Sequence, residues 1–596
     1  MLRFLKKPIL CVLVLCMLFG CVSCDLPWNK SDDAESSDTA TESESASATA
    51  EPEGSEDTVR VDRVDIKLDD AYAGIAYALD ADDAVKDALK TFASKYSSIV
   101  GARNVEPKRS GSYDADKSEI LVGKVRYAEC EEVYATLRYN EAKACVVGSK
   151  LVVAGYDSNL ISEVLTELLT KLKDQADSDG NISLDGSFVI HKSFAEPLFA
   201  VPVFEGSNPT ITETGDECYM VNFGSVGKDN FEMYCNTLVE DGLELYAEKT
   251  MEGNIYKTYH NDKYVVTALY TNYNSICKVL AEPLSETALP TKAEDNVYTP
   301  VEGCDTTVTQ IGLLNENLGA TYNGMCYVVR LADGSFIVVD GGFDFEGYED
   351  RIYSVLRKQA PDPDHIVIAA WIISHAHDDH VDVFENFFKA YADEVTIERF
   401  ICNFPSWGQL ENIWEPEWVR IDKVRALLDE YFPDVPVIKA HPGQEFYIRN
   451  AKIDILFTID IYDSLLDDYN NTSVVFKLEA EGKKMIFMGD HDDKGKTMSN
   501  LYRMQTLKSD IMQVAHHGLP ENSSNELAAK ICPKYAFWPA GAQVVKNGSV
   551  DLFDVSKNKY IVDNCEIFLA EDNIFVLKMK DCSFVKYETL ADYISS

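Results

Sequence analysis

The chain has 596 residues and a mass of 66.6 kDa with 46% hydrophobic residues, enough for about three domains with real cores. Lys plus Arg total 55 against 99 Asp plus Glu, a formal net charge of −44 at pH 7. A surface of that sign repels phosphate backbones and argues against strong nucleic-acid binding. The 15 Cys include no Cys-x-x-Cys pair after Cys24, which leaves zinc ribbons and redox motifs unsupported. Many sit in strand-like runs (Cys145, Cys326, Cys402), where buried free thiols are the default.

Lys6 and Lys7 precede the apolar stretch Ile9 to Phe19, the layout of a signal peptide, and that stretch is too short to span a bilayer comfortably. Leu18-Phe19-Gly20-Cys21 resembles a bacterial lipobox, which implies a lipid on Cys21; Cys24 is a poorer site. Ser31 to Asp57 is almost wholly Ser, Asp, Glu, Ala and Thr, a composition that cannot bury enough surface to fold. The expectation is a lipid-anchored protein on the outer face of the bacterial cytoplasmic membrane. Its signal peptide spans residues 1–20 and its disordered acidic tether residues 21–58.

Residues 59–197 alternate between helical and strand-like patterns. Ala84 to Lys95 predicts a helix, Glu119 to Gly123 a strand, Cys145 to Gly155 a hairpin and Asn159 to Leu172 a helix. That order resembles the small α/β accessory domain that precedes the catalytic domains of α-glucuronidases and related glycosidases. Residues 198–303 predict a second small α/β domain, with a helix over Asp229 to Gly242 and a strand over Tyr264 to Tyr270. Neither region shows a paired-acid, Ser-His or phosphate-loop signature.

The chemistry begins after residue 304. The stretch Gly324 to Gly342 reads as a hairpin closed by Asp333-Gly334 and ending in Asp340-Gly341-Gly342. Ile366 to Ile373 is an apolar run that reads as a buried strand and ends in Ser374-His375-Ala376-His377-Asp378-Asp379-His380. Three of the ten histidines fall within these six positions, which argues against incidental surface histidines. Extended chain points i and i+2 the same way, so His375 and His377 can grip one metal. Asp379 and His380, past the turn, can face a second, and His and Asp are ordinary ligands for zinc-like cations. Two further strand-like segments end in acids or histidines: Lys484 to Asp490, and Asp510 to Gly518 with its Ala515-His516-His517-Gly518.

These four segments, in this order, resemble the metallo-β-lactamase fold superfamily, and His516-His517-Gly518 is similar to the His-His-Gly motif of its ComEC-like branch. The resemblance covers roughly half the chain, residues 304–596. It implies an α/β fold, a four-layer αββα catalytic domain with the site between two sheets at one edge. The metal-ligand set is His375, His377, Asp379, His380, Asp490, His516 and His517, with His375 and His377 on the first metal. Asp379 and His380 hold the second, and Asp490 bridges. One of His516 and His517 completes the second site, the other being free to hydrogen-bond the leaving group. Asp379 and His517 are the catalytic candidates, and Asp340 supports the loop through hydrogen bonds. The cofactor is a divalent metal, two Zn ions first, with Mn or Fe as alternatives.

Several positions depart from that family pattern. Val381-Asp382-Val383 replaces a Gly soon after Asp-His, and Leu519 replaces a Ser after His-His-Gly. Many members also carry a histidine before the bridging acid, whereas the sole histidine between His380 and Asp490 is His441, in the turn-like Ala440-His441-Pro442-Gly443-Gln444. One-metal occupancy therefore stays open, and His441→Ala is expected to do little. His491 follows Asp490 directly and points to the opposite face if the strand continues.

The function expected is extracytoplasmic hydrolysis of a phosphodiester or related ester by a metal-activated hydroxide, on a small-molecule or cell-wall polymer substrate. The alternative is a metal-binding or glycan-binding lipoprotein that keeps the fold without turnover. The loop Asn403 to Trp418 holds three of the six Trp, which could stack a sugar or clasp a cation, or equally fold onto the core.

Overall fold

Alternating apolar faces build four principal sheets, which the computed structural model describes over residues 63–66, 74–102, 105–109, 116–207, 209–314, 323–410, 415–519, 524–541 and 558–596. The signal-peptide, Cys21 and tether readings, with Trp414, lie outside the described residues. Val61–Ser596 forms one compact unit. No helix among the described residues is long and apolar enough to cross a membrane.

The first sheet is mixed and six-stranded, in the order Lys108–Arg109, Gly74–Tyr77, Glu119–Val122, Lys150–Gly155, Glu141–Val147, Val189–Ser193. Helices Asp83–Ile99 and Ser158–Gln175 pack on it through Leu89, Phe92, Tyr96, Val164, Leu165 and Leu168. Each starts on an aspartate cap: Asp82 accepts from Val85 N, and Asp157 from Leu160 N, both at 2.8 Å. The predicted hairpin forms between Glu141–Val147 and Lys150–Gly155.

The second sheet is antiparallel, in the order Glu244–Met251, Asn254–His260, Tyr264–Thr271, Ile276–Pro283, Cys218–Ser225, Thr210–Gly215. Its strands alternate between two cores, as the period of two requires. Val266, Ala268 and Tyr270 face the helix Lys228–Glu240, while Leu269 and Leu280 face the C-terminal half of the chain.

That half is a layered α/β fold, helix–sheet–sheet–helix. One sheet has nine strands, with Phe336–Val339, Ile366–Ile372 and Phe400–Cys402 adjacent. The other has seven, with Val475–Ala480, Lys483–Phe487 and Ile511–Gln513 adjacent. Between them lies a dry core that includes Val329, Val339 and Ile372 from one side and Ile455, Phe476 and Phe487 from the other. The outer face of the nine-stranded sheet is covered by helices Tyr348–Gln359, Val383–Tyr391 and Glu415–Tyr431. The outer face of the seven-stranded sheet packs on Asn525–Ile531 and on Met220, Tyr256, Leu269 and Leu280 of the second sheet. Every cysteine among the described residues is a free thiol.

Candidate metal centre

The first histidines arrive on the strand Ile366–Ile372, buried at the middle of its sheet. The chain then leaves the sheet through Ser374 to His377 and re-enters a single helical turn, Asp378–Val381. Asp340 fixes that excursion. Its Oδ1 accepts from Ser374 N at 2.7 Å, and its Oδ2 accepts from Ser374 Oγ and His380 Nδ1, both at 2.8 Å. Asp340 itself has φ 56, a conformation costing about 1–3 kcal/mol that persists where surroundings over-determine it. Because Asp340 takes the Nδ1 proton, His380 presents Nε2 to the cavity, where that atom has no hydrogen-bond partner.

Asp490 follows the strand Lys483–Phe487 across a tight turn at Gly489, φ +53. A Cβ there would lie 2.8 Å from Ser473 Oγ and 3.0 Å from Ser374 Cβ, so only glycine lets the two sheet ends approach. Ser473 Oγ accepts from Asp490 N at 3.0 Å. His516 and His517 are both left-handed, with φ 43 and φ 52. The His517 carbonyl accepts from Trp538 Nε1 at 2.6 Å and its Nδ1 donates to Pro539 O at 2.7 Å, which again leaves Nε2 facing inward.

Two donor groups result, and Asp490 belongs to both. Ligand atoms of Asp379, His380, Asp490 and His517 lie within 4.8 Å of one another, as do those of His375, His377 and Asp490. His375 Nε2 and His377 Nδ1 are 3.0 Å apart, and His375 Nε2 is 3.7 Å from Asp490 Oδ2. His517 Nε2 lies 2.8 Å from Asp379 Oδ2, and His380 Nε2 lies 3.3 Å from Asp490 Oδ2. His516 is in neither group; its Nε2 stands 3.8 Å from Asp490 Oδ2 with its side chain 16% exposed. Two ring nitrogens at 3.0 Å and a buried imidazole nitrogen without a partner are the signature of a place meant for a cation.

The electrostatics agree. Burial would raise Asp490, but His380, His516 and His517 hold it well below the usual carboxylate range. Burial, helped by His380, pushes His375 well below the ordinary imidazole value, and burial lowers His377. Anionic Asp490 and neutral His375 and His377 are the protonation states a metal requires. Against burial, the carboxylates of Asp490, Asp379 and Asp340 raise His380 well above the ordinary imidazole value and those of Asp490 and Asp379 raise His517, so a cation there would displace their protons.

Residues 320–446 match the family model described as "Metallo-beta-lactamase superfamily". The superfamily match is to a domain within the C-terminal half and is confined to those residues. This superfamily consists mostly of metal-dependent hydrolases. No curated protein matches the chain. Among solved structures, it is similar to the metallo-beta-lactamase fold protein YhfI from Bacillus subtilis at 12% identity and TM-score 0.28, over 45% of this chain and 97% of that one. Zn(2+)-bound PqqB from Methylobacterium extorquens is 8% identical with TM-score 0.27, over 44% of this chain and 98% of that one. CmlA, a diiron beta-hydroxylase from Streptomyces venezuelae, is 10% identical with TM-score 0.29, over 70% of this chain and 85% of that one.

Two histidines outside the lactamase-fold site are also accounted for. His491 is fully buried against Phe457, with ring centroids 4.4 Å apart; neither ring nitrogen has a partner, and burial pushes it down to about 3. His441 lies outside both donor groups, as its turn position argued, but it is held in the interior rather than on a surface turn. It is fully buried, with Nδ1 2.8 Å from Asp460 Oδ2 and Nε2 2.8 Å from Glu282 Oε2 of the second sheet. Burial opposes its charge, but the Glu282 and Asp460 carboxylates outweigh it and push the imidazole up to about 9. It is thus a buried cation joining two parts of the chain. Sequence reasoning also missed Ser374 as a hydrogen-bonding support and Tyr469, whose ring stacks on His377 at 5.3 Å.

Proposed function

We propose that the chain is a metal-dependent hydrolase of a phosphodiester or related ester, acting outside the cytoplasmic membrane from a lipid anchor on Cys21. The observation that carries the chemistry is the pair of donor groups sharing Asp490 at the ends of two facing sheets. Bound divalent ions supply Lewis acidity there and lower the pKa of water toward neutrality. His375, His377 and Asp490 would hold one ion, and Asp379, His380, His517 and Asp490 the other. A set of three protein ligands leaves an open position, as catalytic rather than structural sites do. The histidine missing from the family pattern leaves the first ion three protein ligands and is the feature that favours the alternative, a metal-binding protein without turnover.

The remaining roles fall to this chain's own side chains. Asp340 and the Pro539 carbonyl hold the outer protons of His380 and His517, fixing which nitrogen faces the centre. Asp379 Oδ2 faces His517 Nε2 at 2.8 Å, so the carboxylate and imidazole orient each other. His516, outside both groups and partly exposed, is left free to hydrogen-bond the leaving group. The −44 net charge supports small or cell-wall substrates over long nucleic acids.

Purified protein loaded with zinc or manganese, assayed against phosphodiester, phosphorylcholine, lactone and DNA substrates, tests this reading. Turnover of a small phosphodiester is expected, and strong DNA cleavage would overturn the charge argument. Full metal occupancy with no turnover of any of them would leave a binding protein instead.

A further inference from the structure

Beside the first donor group lie two buried polar atoms with nothing to bind. Glu417, on the helix Glu415–Tyr431, is 6% exposed, and its Oε2 has no hydrogen-bond partner. The hydroxyl of Tyr469 is likewise buried and unpartnered, while its ring stacks on His377 at an interplanar angle of 30°. The helix that carries Glu417 is tied to the metal-binding turn by Arg420, 3.4 Å from Asp378, and its Trp418 packs against the same core as Tyr469. Of the neighbouring cations, Arg420 pairs with Asp378 and Asp382, while Arg425 stands 4.0 Å from the exposed Asp216 and, with Arg420, acts on Tyr469 from a distance. Trp418, next to Glu417 in the chain, packs on the 59% exposed Trp407 with ring centroids 4.6 Å apart.

A carboxylate oxygen taken out of water without a hydrogen-bond donor is costly, and evolved sites keep one where a ligand completes it. The missing partner must donate hydrogen bonds, since a carboxylate oxygen only accepts. A positive charge suits it best, because aromatic faces and a strongly acidic protein both favour a cation. We propose that Glu417 and Tyr469 form a subsite for a protonated primary amine carried by the substrate, on the His377 side of the centre. The proposal rests on the reading above, that the donor groups hold metal and receive a phosphate ester, and it narrows that ester to one bearing an ammonium group.

Calorimetric titration of the zinc-loaded full chain with phosphoethanolamine, glycerol phosphate and inorganic phosphate tests it. Phosphoethanolamine should bind at least tenfold more tightly than inorganic phosphate, and glycerol phosphate should show no such gain. In Glu417→Gln that tenfold ratio should fall toward one, and in Tyr469→Phe it should shrink, with zinc content by mass spectrometry unchanged in both. An equal gain for glycerol phosphate would mean a polyol subsite and overturn the proposal. So would a ratio that survives Glu417→Gln. Loss of zinc in Glu417→Gln would show that the carboxylate only orients His377, and would overturn it as well. Phosphate binding without amine preference sinks this inference alone, whereas no binding of any phosphate compound sinks the hydrolase reading with it.

Discussion

Asp490 is shared by both donor groups, so its removal should be felt twice. Asp490→Ala is expected to abolish stoichiometric metal binding and hydrolysis together, by more than the roughly 10–100-fold that an outer-shell partner costs; metal analysis alongside turnover checks it. His441 makes a different prediction. Its loss strands the buried carboxylates of Glu282 and Asp460, so His441→Ala should destabilise the protein by about 3–5 kcal/mol, read from denaturant unfolding. The pH dependence follows in sign. His441 is raised to about 9 from 6.5, so its contribution is complete below about pH 6.5 and lost as pH rises through about 9. A melting temperature that falls between pH 7 and 10 in the natural chain, and less steeply in His441→Gln, is the expected result. The metal-site histidines were legible because six consecutive positions carry three of them at the end of an apolar run. His441 was not, because its partner Glu282 lies 159 positions away and nothing local marks the pairing.

Among the elements, those with strong periodicity were readable within a few residues. The helix predicted over Asp229 to Gly242 forms at Lys228–Glu240, and the run Ile366 to Ile373 forms the strand Ile366–Ile372. The helix expected from Ala84 to Lys95 continues to Ile99, since Tyr96 is buried in the first core rather than turned to solvent. Strand order was beyond reach: hydrogen-bonding partners such as Arg63–Ile66 and Ile182–Asp185 are far apart in the chain, and a period of two says which face is buried but not which neighbour lies beside it. The His-His-Gly turn carries its own test. Gly518 has φ +79, and a Cβ there would meet Trp538 Cζ2 at 2.3 Å. Gly518→Ala should cost about 1–3 kcal/mol and displace His517, whose carbonyl is tied to that same Trp538. Lower melting temperature together with weaker zinc affinity is the expected pair of readings.

At the scale of the molecule, the second sheet shares a core with the lactamase-fold domain. Met220, Tyr256, Leu269 and Leu280 pack with Leu456, Phe457 and Ile486. Lys278, fully buried, donates to the carbonyls of Asp460 and Ile461 at 2.9 and 3.2 Å. A fragment of residues 304–596 would expose that surface, so it should be recovered mainly as aggregate while residues 198–596 stay soluble; size-exclusion chromatography of the two fragments decides. The N-terminal reading has a separate test: Cys21→Ala should lose radiolabelled fatty acid that the natural chain incorporates.

The unpaired thiols have a consequence for how the molecule comes apart. Burial pushes Cys130 and Cys218 up to about 12 and Cys235 up to about 11, and a protonated, enclosed thiol does not react. Each becomes reactive only when its own layer opens. Cys130 packs on the first sheet from the helix Ala128–Tyr134, Cys277 belongs to the second sheet, and Cys326 and Cys582 lie on the two sides of the nine-stranded sheet. Labelling with a thiol reagent under native conditions, followed by peptide mass analysis, would time the breathing of each layer in one experiment. Metal added to the same reaction should slow Cys326, whose neighbour Met325 donates its backbone N–H to the Asp379 carbonyl, and leave the rate at Cys130 where it was.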